Sequence, residues 1–139
     1  MAEKLLFELV SPQKQLLSLE VDEVVAPGVE GEFGVLAGHA PFLTALNIGE
    51  LVYKVDGKIE YAAIDQGFLE VNNNKVIVLA EDAELGREID LEEAIRRKLE
   101  AEKELEAARK KDEQTLMECE VKLKKELMRL GVAEKYKNK

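Results

Sequence analysis

A chain of 139 residues has room for one or two small domains, and its formal net charge of −9 repels phosphate backbones and anionic lipid, so neither nucleic acid nor direct membrane insertion is expected. Its single cysteine, Cys119, allows no internal disulfide and fits a reducing compartment, and no apolar run approaches the ~18 residues of a membrane span. Residues 1–82 carry five Lys+Arg against fourteen Asp+Glu, all three prolines and seven of the nine glycines, whereas residues 83–139 carry fifteen residues of each charge. The change near Ala83–Glu88 predicts a domain boundary, with a β domain over 1–86 and a helical one over 87–139.

In chain order, the predicted strands are Leu5–Val10, Leu16–Ala26, Gly49–Val55, Lys58–Ile64, Gly67–Val71 and Lys75–Ala80, each short, rich in Val, Ile, Leu and Tyr, and bounded by turn residues. Glu3 and Glu8 interrupt the only early apolar run, so no secretory leader is expected. Between the second and third strands, Pro27–Leu46 holds four glycines, two prolines and the only histidine, His39. Such punctuation forbids helix, yet Phe33, Val35, Leu36, Phe42, Leu43 and Leu46 are too apolar for a solvated loop. The segment reads as very short strands joined by tight turns. Asp56-Gly57 and Asn72-Asn73-Asn74 read as hairpin tips. At the first tip, packing favours a three-residue loop over 56–58, pairing Val55 with Ile59, Tyr53 with Tyr61 and Leu51 with Ala63.

Asp90 is a good helix N-cap, with Glu92 and Glu93 in the first turn. Leu91, Ala94, Ile95, Ala101, Leu105 and Ala108 recur at three- or four-residue intervals to a basic end at Arg109-Lys110-Lys111. Asp112 offers a second cap, Leu116, Cys119, Val121, Leu123, Leu127 and Leu130 continue the period, and Gly131 is the expected stop. Two helices over about 91–109 and 113–130 follow, each with one narrow apolar stripe, as in an antiparallel hairpin. Nothing in 107–113 forbids one continuous helix, so a bistable element is also open. The fold class is therefore α+β: an all-β flattened sandwich or barrel followed by a two-helix hairpin.

No residue pattern here supports catalysis. His39 has no second histidine, nearby cysteine or nucleophile elbow beside it and reads as a turn residue. The acidic residues form no calcium loop, no phosphate-binding glycine loop exists, and no metal or cofactor is expected. Lys122, Lys124, Lys125 and Arg129 form a basic cluster, either a wet helix face or a surface for docking on acidic protein. Cys119, Met117 and Met128 read as packing residues. Composition alone also allows a β-sandwich adaptor with a coiled-coil oligomerisation tail.

Gly31-Glu32-Phe33-Gly34-Val35-Leu36, Gly38-His39-Ala40-Pro41 and Leu43-Thr44-Ala45-Leu46 closely resemble the epsilon subunit of bacterial F-type ATP synthases. The resemblance continues through Gly49, Gly67-Phe68-Leu69-Glu70-Val71, Val76-Ile77-Val78-Leu79-Ala80 and Arg129-Leu130-Gly131-Val132-Ala133. It implies a non-catalytic central-stalk subunit of a proton-translocating enzyme, coupling rotation of the membrane ring to ATP synthesis, on the cytoplasmic face of the bacterial inner membrane. The implied partners are the gamma subunit, the rotor ring of c subunits and the alpha/beta catalytic head. The resemblance further implies that Glu30, Glu32 and His39 meet the ring and gamma at one end of the sandwich. On the same basis the helix bearing Lys122, Lys124, Lys125 and Arg129 docks on the head and inhibits ATP hydrolysis. Some members of the family bind ATP through Ile/Leu-Asp-x-x-Arg-Ala. Here the segment reads Ile89-Asp90-Leu91-Glu92-Glu93-Ala94, with Glu93 in place of the arginine, so weak or no nucleotide binding is expected.

Overall fold

In the computed structural model, which describes residues 3–138, eight strands are followed by two helices among the described residues. The outermost residues of the expected ranges 1–86 and 87–139 (Met1, Ala2 and Lys139) lie outside the described residues. The strands are β1 (Leu5–Val10), β2 (Gln15–Val21), β3 (Glu23–Gly28), β4 (Gly31–Leu36), β5 (Phe42–Leu46), β6 (Gly49–Val55), β7 (Lys58–Asn72) and β8 (Lys75–Leu85). A 3-10 turn at Gly86–Glu88 leads to α1 (Leu91–Ala108) and α2 (Glu113–Lys137).

The pairing β2-β1-β8-β7-β5-β3-β4, with β6 between β3 and β7, folds into two layers. One layer holds β2, β1, the first half of β8, the second half of β7, and β5. The other holds the second half of β8, the first half of β7, β6, β3 and β4. A single pair, Gly28 with Leu46, joins β3 to β5 at the remaining corner. Between the layers lies a core of Leu5, Phe7, Leu9, Val24, Leu51, Ile64, Leu69, Val71, Val76 and Val78. The rings of Phe7 and Tyr53, one from each layer, stand 5.4 Å apart.

β7 and β8 run unbroken through both layers, so the expected separate strands Lys58–Ile64 and Gly67–Val71 are one strand of 15 residues. The corner shows as a change of parity. Ala62 and Ile64 point inward in the first half of β7, Leu69 and Val71 in the second, and Gln66 faces solvent. On β8 the inward set changes from Val76, Val78 and Ala80 to Leu85, with exposed Glu81 and Asp82 between. The register is the same on both sides of the bend, and aspartates sit at it: Gln66 N–H donates to the Asp65 carboxylate at 2.9 Å and Ala83 N–H to Asp82 at 3.0 Å. An aspartate also divides the expected strand Leu16–Ala26, here by accepting from another hairpin. Leu17 and Val21 point inward before Asp22, Val24 and Ala26 after it, and the Asp22 carboxylate accepts from Gly57 N–H at 3.2 Å.

The expected three-residue loop over 56–58 is not formed. The observed register pairs Val55 with Lys58, Tyr53 with Glu60 and Leu51 with Ala62. Asp56 (φ 50°) and Gly57 (φ 81°) are both left-handed, as a two-residue type I′ turn requires. The turn's twist preference overrides the cleaner facial sorting. Tyr61 and Ala63 then point outward, where they meet the helices. The other expected tip forms in the same way, with Asn73 and Asn74 left-handed and Asn72 paired with Lys75.

Asp90 caps α1 by accepting from Glu93 N–H at 3.1 Å, and Asp112 caps α2 by accepting from Thr115 N–H at 3.4 Å. Leu91, Ala94, Lys98, Ala101, Leu105 and Ala108 on α1, and Leu116, Cys119, Leu123, Glu126, Leu130 and Ala133 on α2, are spaced alternately by three and four and are all buried or half-buried. These stripes face each other in an antiparallel hairpin, so the apolar seam that an oligomerisation tail needs is used within the chain. Ile95, Val121 and Leu127, expected on the stripes, are exposed neighbours of it. α2 does not stop at Gly131. Glycine costs about 1 kcal/mol in a helix interior, and burial of Val132 and Ala133 against Ile89, Ala94 and Ala63 outweighs it.

Gly67 sits at the corner, opposite Ala80 of β8. A Cβ there stands 2.0 Å from the Leu79 carbonyl oxygen and 2.8 Å from Ala80 Cα, both rigid backbone. Gly67→Ala is expected to destabilise the sandwich by about 3 kcal/mol and lower Tm by about 10 °C. Urea unfolding followed by circular dichroism measures it, and an unchanged midpoint refutes the close packing of this corner.

Candidate functional site

The two outer faces of the sandwich differ. The face of the β6–β7 layer carries Tyr61 and Ala63 beneath Ile89, Ala94, Val132 and Ala133 of the helical segment. The opposite face has no cover from the described chain. Val10 and Leu79 pair across β1–β8, Leu79 pairs with Phe68, and Phe68 with Ala45. Phe68 is 57% exposed, Leu79 54% and nearby Val29 51%. With Pro12, Asn47, Gln66 and Glu81 they line an open groove of about 610 Å³. Large exposed side chains massed on one sheet face mark a surface for a partner. The sequence reading did not single out Val10, Val29, Phe68 or Leu79. The available signal was Val76-Ile77-Val78-Leu79-Ala80, whose lack of alternation means a strand apolar on both faces.

Glu30 follows Val29 and so borders this groove; it and Glu32 are exposed at the start of edge strand β4. His39 lies beyond the other end of β4, half-buried, with Nδ1 2.7 Å from the Ala40 carbonyl and its ring 5.8 Å from Phe42. Gly38 N–H donates to Asn74 Oδ1 at 2.7 Å, tying that turn to the β7–β8 tip. A six-residue strand is about 20 Å long, so the structure separates the Glu30–Glu32 turn from the His39 turn along one edge rather than bringing them to one end.

The basic residues of α2 are mostly engaged within the chain. Lys122 Nζ lies 2.8 Å from Glu104 on α1 and Lys125 Nζ 2.8 Å from Asp65 on β7. Arg129 is only 12% exposed and clasps Glu84 on β8 with both arms of its fork, Nε–Oε1 at 2.7 Å and Nη2–Oε2 at 3.0 Å. Its Nη2 also donates to Glu93 Oε1 on α1 at 2.7 Å. Of the four, Lys124 alone makes no ion pair among the described residues, and its side chain is exposed. Hydrogen bonding to Arg129 holds the Glu93 carboxyl below the usual range. The Glu84 bonds, with Glu93 adding to them, raise the Arg129 guanidinium further, so its charge is permanent.

Ile89 and Ala94 are buried in the helix–sheet core, while Asp90 is spent on capping α1. The motif Ile89-Asp90-x-x-Glu93-Ala94 thus acts here as a helix start whose fifth residue, Glu93, binds Arg129. The cleft beside it, about 140 Å³, is lined by Asp65, Asp82, Glu84 and Glu126 as well as by Arg97, Lys125 and Arg129. Among the described residues no three His, Cys, Asp or Glu side chains gather as a metal set.

The family model for the ATP synthase Delta/Epsilon chain beta-sandwich domain matches residues 4–86. The chain is 51% identical over 135 residues to the ATP synthase epsilon chain of Geotalea daltonii, covering 97% of each. It is 48% identical over 139 residues to that of Trichlorobacter lovleyi, covering all of both. A chain of the Euglena gracilis mitochondrial ATP synthase, in a structure of OSCP, F1 and c-ring, superposes with TM-score 0.77 at 27% identity, over 94% of this chain and 81% of that one. One in the Tetrahymena thermophila central stalk and c-ring shares the fold, with TM-score 0.54 at 17% identity over 63% of this chain and 70% of that one. Turn motifs, two-layer sandwich, helical hairpin and full-length identity agree, and the chain belongs to the family of ATP synthase epsilon chains.

Proposed function

We propose that the uncovered face around Phe68 and Leu79 seats this chain on the gamma subunit, that the turns at Glu30–Glu32 and His39 face gamma and the ring of c subunits, and that the helices restrain ATP hydrolysis by the alpha/beta head. As an epsilon chain it is a non-catalytic rotor-stalk subunit of an F-type ATP synthase. The observation that carries the docking assignment is the contrast between the faces: one is closed by the chain's own helices, the other leaves Phe68, Leu79 and Val29 in water.

Glu30 and His39 flank opposite ends of β4, so a partner meeting both runs along that edge. Among the described residues no helix is long and apolar enough to cross a membrane. On this reading the chain is held at the cytoplasmic face of the bacterial inner membrane by its partners, as part of a proton-driven complex. Docking of α2 on the head requires Lys122, Lys125 and Arg129 to exchange an internal carboxylate for a partner's, so inhibition belongs to an opened form of the hairpin.

Phe68→Asp with Leu79→Asp places two charges in the middle of the proposed gamma interface. Co-purification with gamma is expected to weaken by at least about a hundredfold, with an unchanged circular dichroism spectrum. Retained stoichiometric binding refutes the assignment of this face.

Deleting residues 88–139 removes the cover over Tyr61 and Ala63 but leaves the opposite face intact. The truncated chain is expected to bind gamma and the complex to hydrolyse ATP faster. Loss of gamma binding overturns the division of labour between sandwich and helices, and unchanged hydrolysis overturns the inhibitory role.

Calorimetric titration of the isolated chain with Mg-ATP is expected to give a Kd weaker than about 1 mM, or about 4 kcal/mol at most. Glu93 places a carboxylate where the resembling motif has a cation and occupies Arg129. Glu93→Arg is expected to tighten binding. Saturable binding below about 10 µM by the natural chain refutes the electrostatic argument.

A further inference from the structure

We propose that Arg129 is the latch of the compact hairpin and that Glu93 is the built-in anion that closes it, so the folded-back form needs no bound anion to persist. The proposal rests on the reading that the hairpin opens during regulation. Arg129 joins three elements at once: α2 carries it, β8 supplies Glu84 and α1 supplies Glu93. Parting α2 from both the sandwich and α1 breaks all three hydrogen bonds together.

The other ties of α2 are weaker by kind. Lys122 with Glu104, Lys125 with Asp65 and Lys135 with Glu50 involve lysines 50%, 42% and 54% exposed, and such pairs contribute little. The apolar contact between helices and sheet combines small residues, Ala63, Ala94, Val132 and Ala133, with Ile89, Tyr61, Leu91, Met128 and Leu130. Among the ionic ties of α2, that of Arg129 has the most buried side chain, 12% exposed, so losing one of its partners costs more than losing an exposed pair. Its Nη1 is buried and, among the described residues, has no hydrogen-bond partner. Removing an acceptor leaves a partly buried cation short of partners, a cost that falls on the compact form alone.

The charges around it define the balance. Glu84, Asp82 and Asp65 face it from the sheet, Glu93 and Arg97 from α1, and Lys125 and Glu126 from α2. Arg97 lies 4.0 Å from Glu93 and shares that carboxylate. Glu93 therefore satisfies Arg129 from inside, in place of an external anion.

Cys119, the only cysteine of the sequence, is a natural reporter, because it is half-buried on the α2 stripe that packs against α1. Its reaction rate with DTNB in the isolated full-length chain is expected to rise about three- to tenfold in Glu93→Gln and in Arg129→Gln, with helix content by circular dichroism retained. Arg129→Lys, which keeps the charge but not the fork, should fall between. Lys135→Gln, which breaks an exposed pair, should match the natural chain. Equal rates in the natural chain, Glu93→Gln and Arg129→Gln overturn the latch, as does loss of helix content in place of faster reaction. ATP hydrolysis by the assembled complex then separates the two ideas. Faster thiol reaction with unchanged hydrolysis keeps the latch and refutes the regulatory reading, whereas equal thiol rates refute the latch whatever hydrolysis does.

Discussion

The passage of β7 and β8 around a corner without breaking their ladder is the constraint on which the rest depends. A barrel this flat has to reverse which residues face inward as its strands cross from one layer to the other. Consecutive outward residues do this on both strands, and the side chains of Asp65 and Asp82 accept the N–H of the following residue at the bend. Gly67 lets the two backbones close up beside it. Because both strands stay whole, the two outer faces are fixed relative to each other. One receives the helices and the other stays free.

That arrangement also places the charges. Asp65 and Glu84 lie on the corner and on the second half of β8, directly under α2, and take Lys125 and Arg129. The acidic excess of the sandwich is thus partly a landing surface for its own second helix. Negative charge that reads as a solvated face in the sequence is, at these positions, ligation of the hairpin.

Much of the fold was legible because local chemistry and tertiary demand agree. Leu5–Val10 and Gly49–Val55 form at the expected boundaries, and Asp90 and Asp112 cap the helices as their side chains suggest. Legibility failed where one residue type serves two purposes. Asp65-Gln66-Gly67 has the composition of a turn and is a bend in a continuous strand; Asp22 likewise divides what reads as one strand. The register after Val55 was misjudged because facial sorting was weighed above the left-handed demand of Asp56-Gly57, and because the outward placement of Tyr61 makes sense only once helices cover it. Gly131 stops nothing because the burial that carries α2 past it lies far away in sequence. Of the site residues, the basic cluster was visible but its internal partners were not, since Glu84 and Glu93 stand 45 and 36 positions from Arg129. The exposed groove residues were hidden in runs that look like ordinary core.

The seam between α1 and α2 is unequal. α1 offers mainly alanine, at 94, 101 and 108, while α2 offers Leu116, Leu123 and Leu130. When the two part, the hydration penalty is therefore lopsided: alanine methyls lose little on wetting, whereas each half-buried leucine loses part of the about 1.5–3 kcal/mol that separates full burial from full exposure. The first helix, whose stripe holds Leu91 and Leu105 beside its alanines, loses less than the second. The second becomes adhesive along its length, with its lysines and Arg129 released on the same surface. A helix in that condition diffuses poorly as a free arm and needs a groove that is apolar along its floor and acidic along its rim.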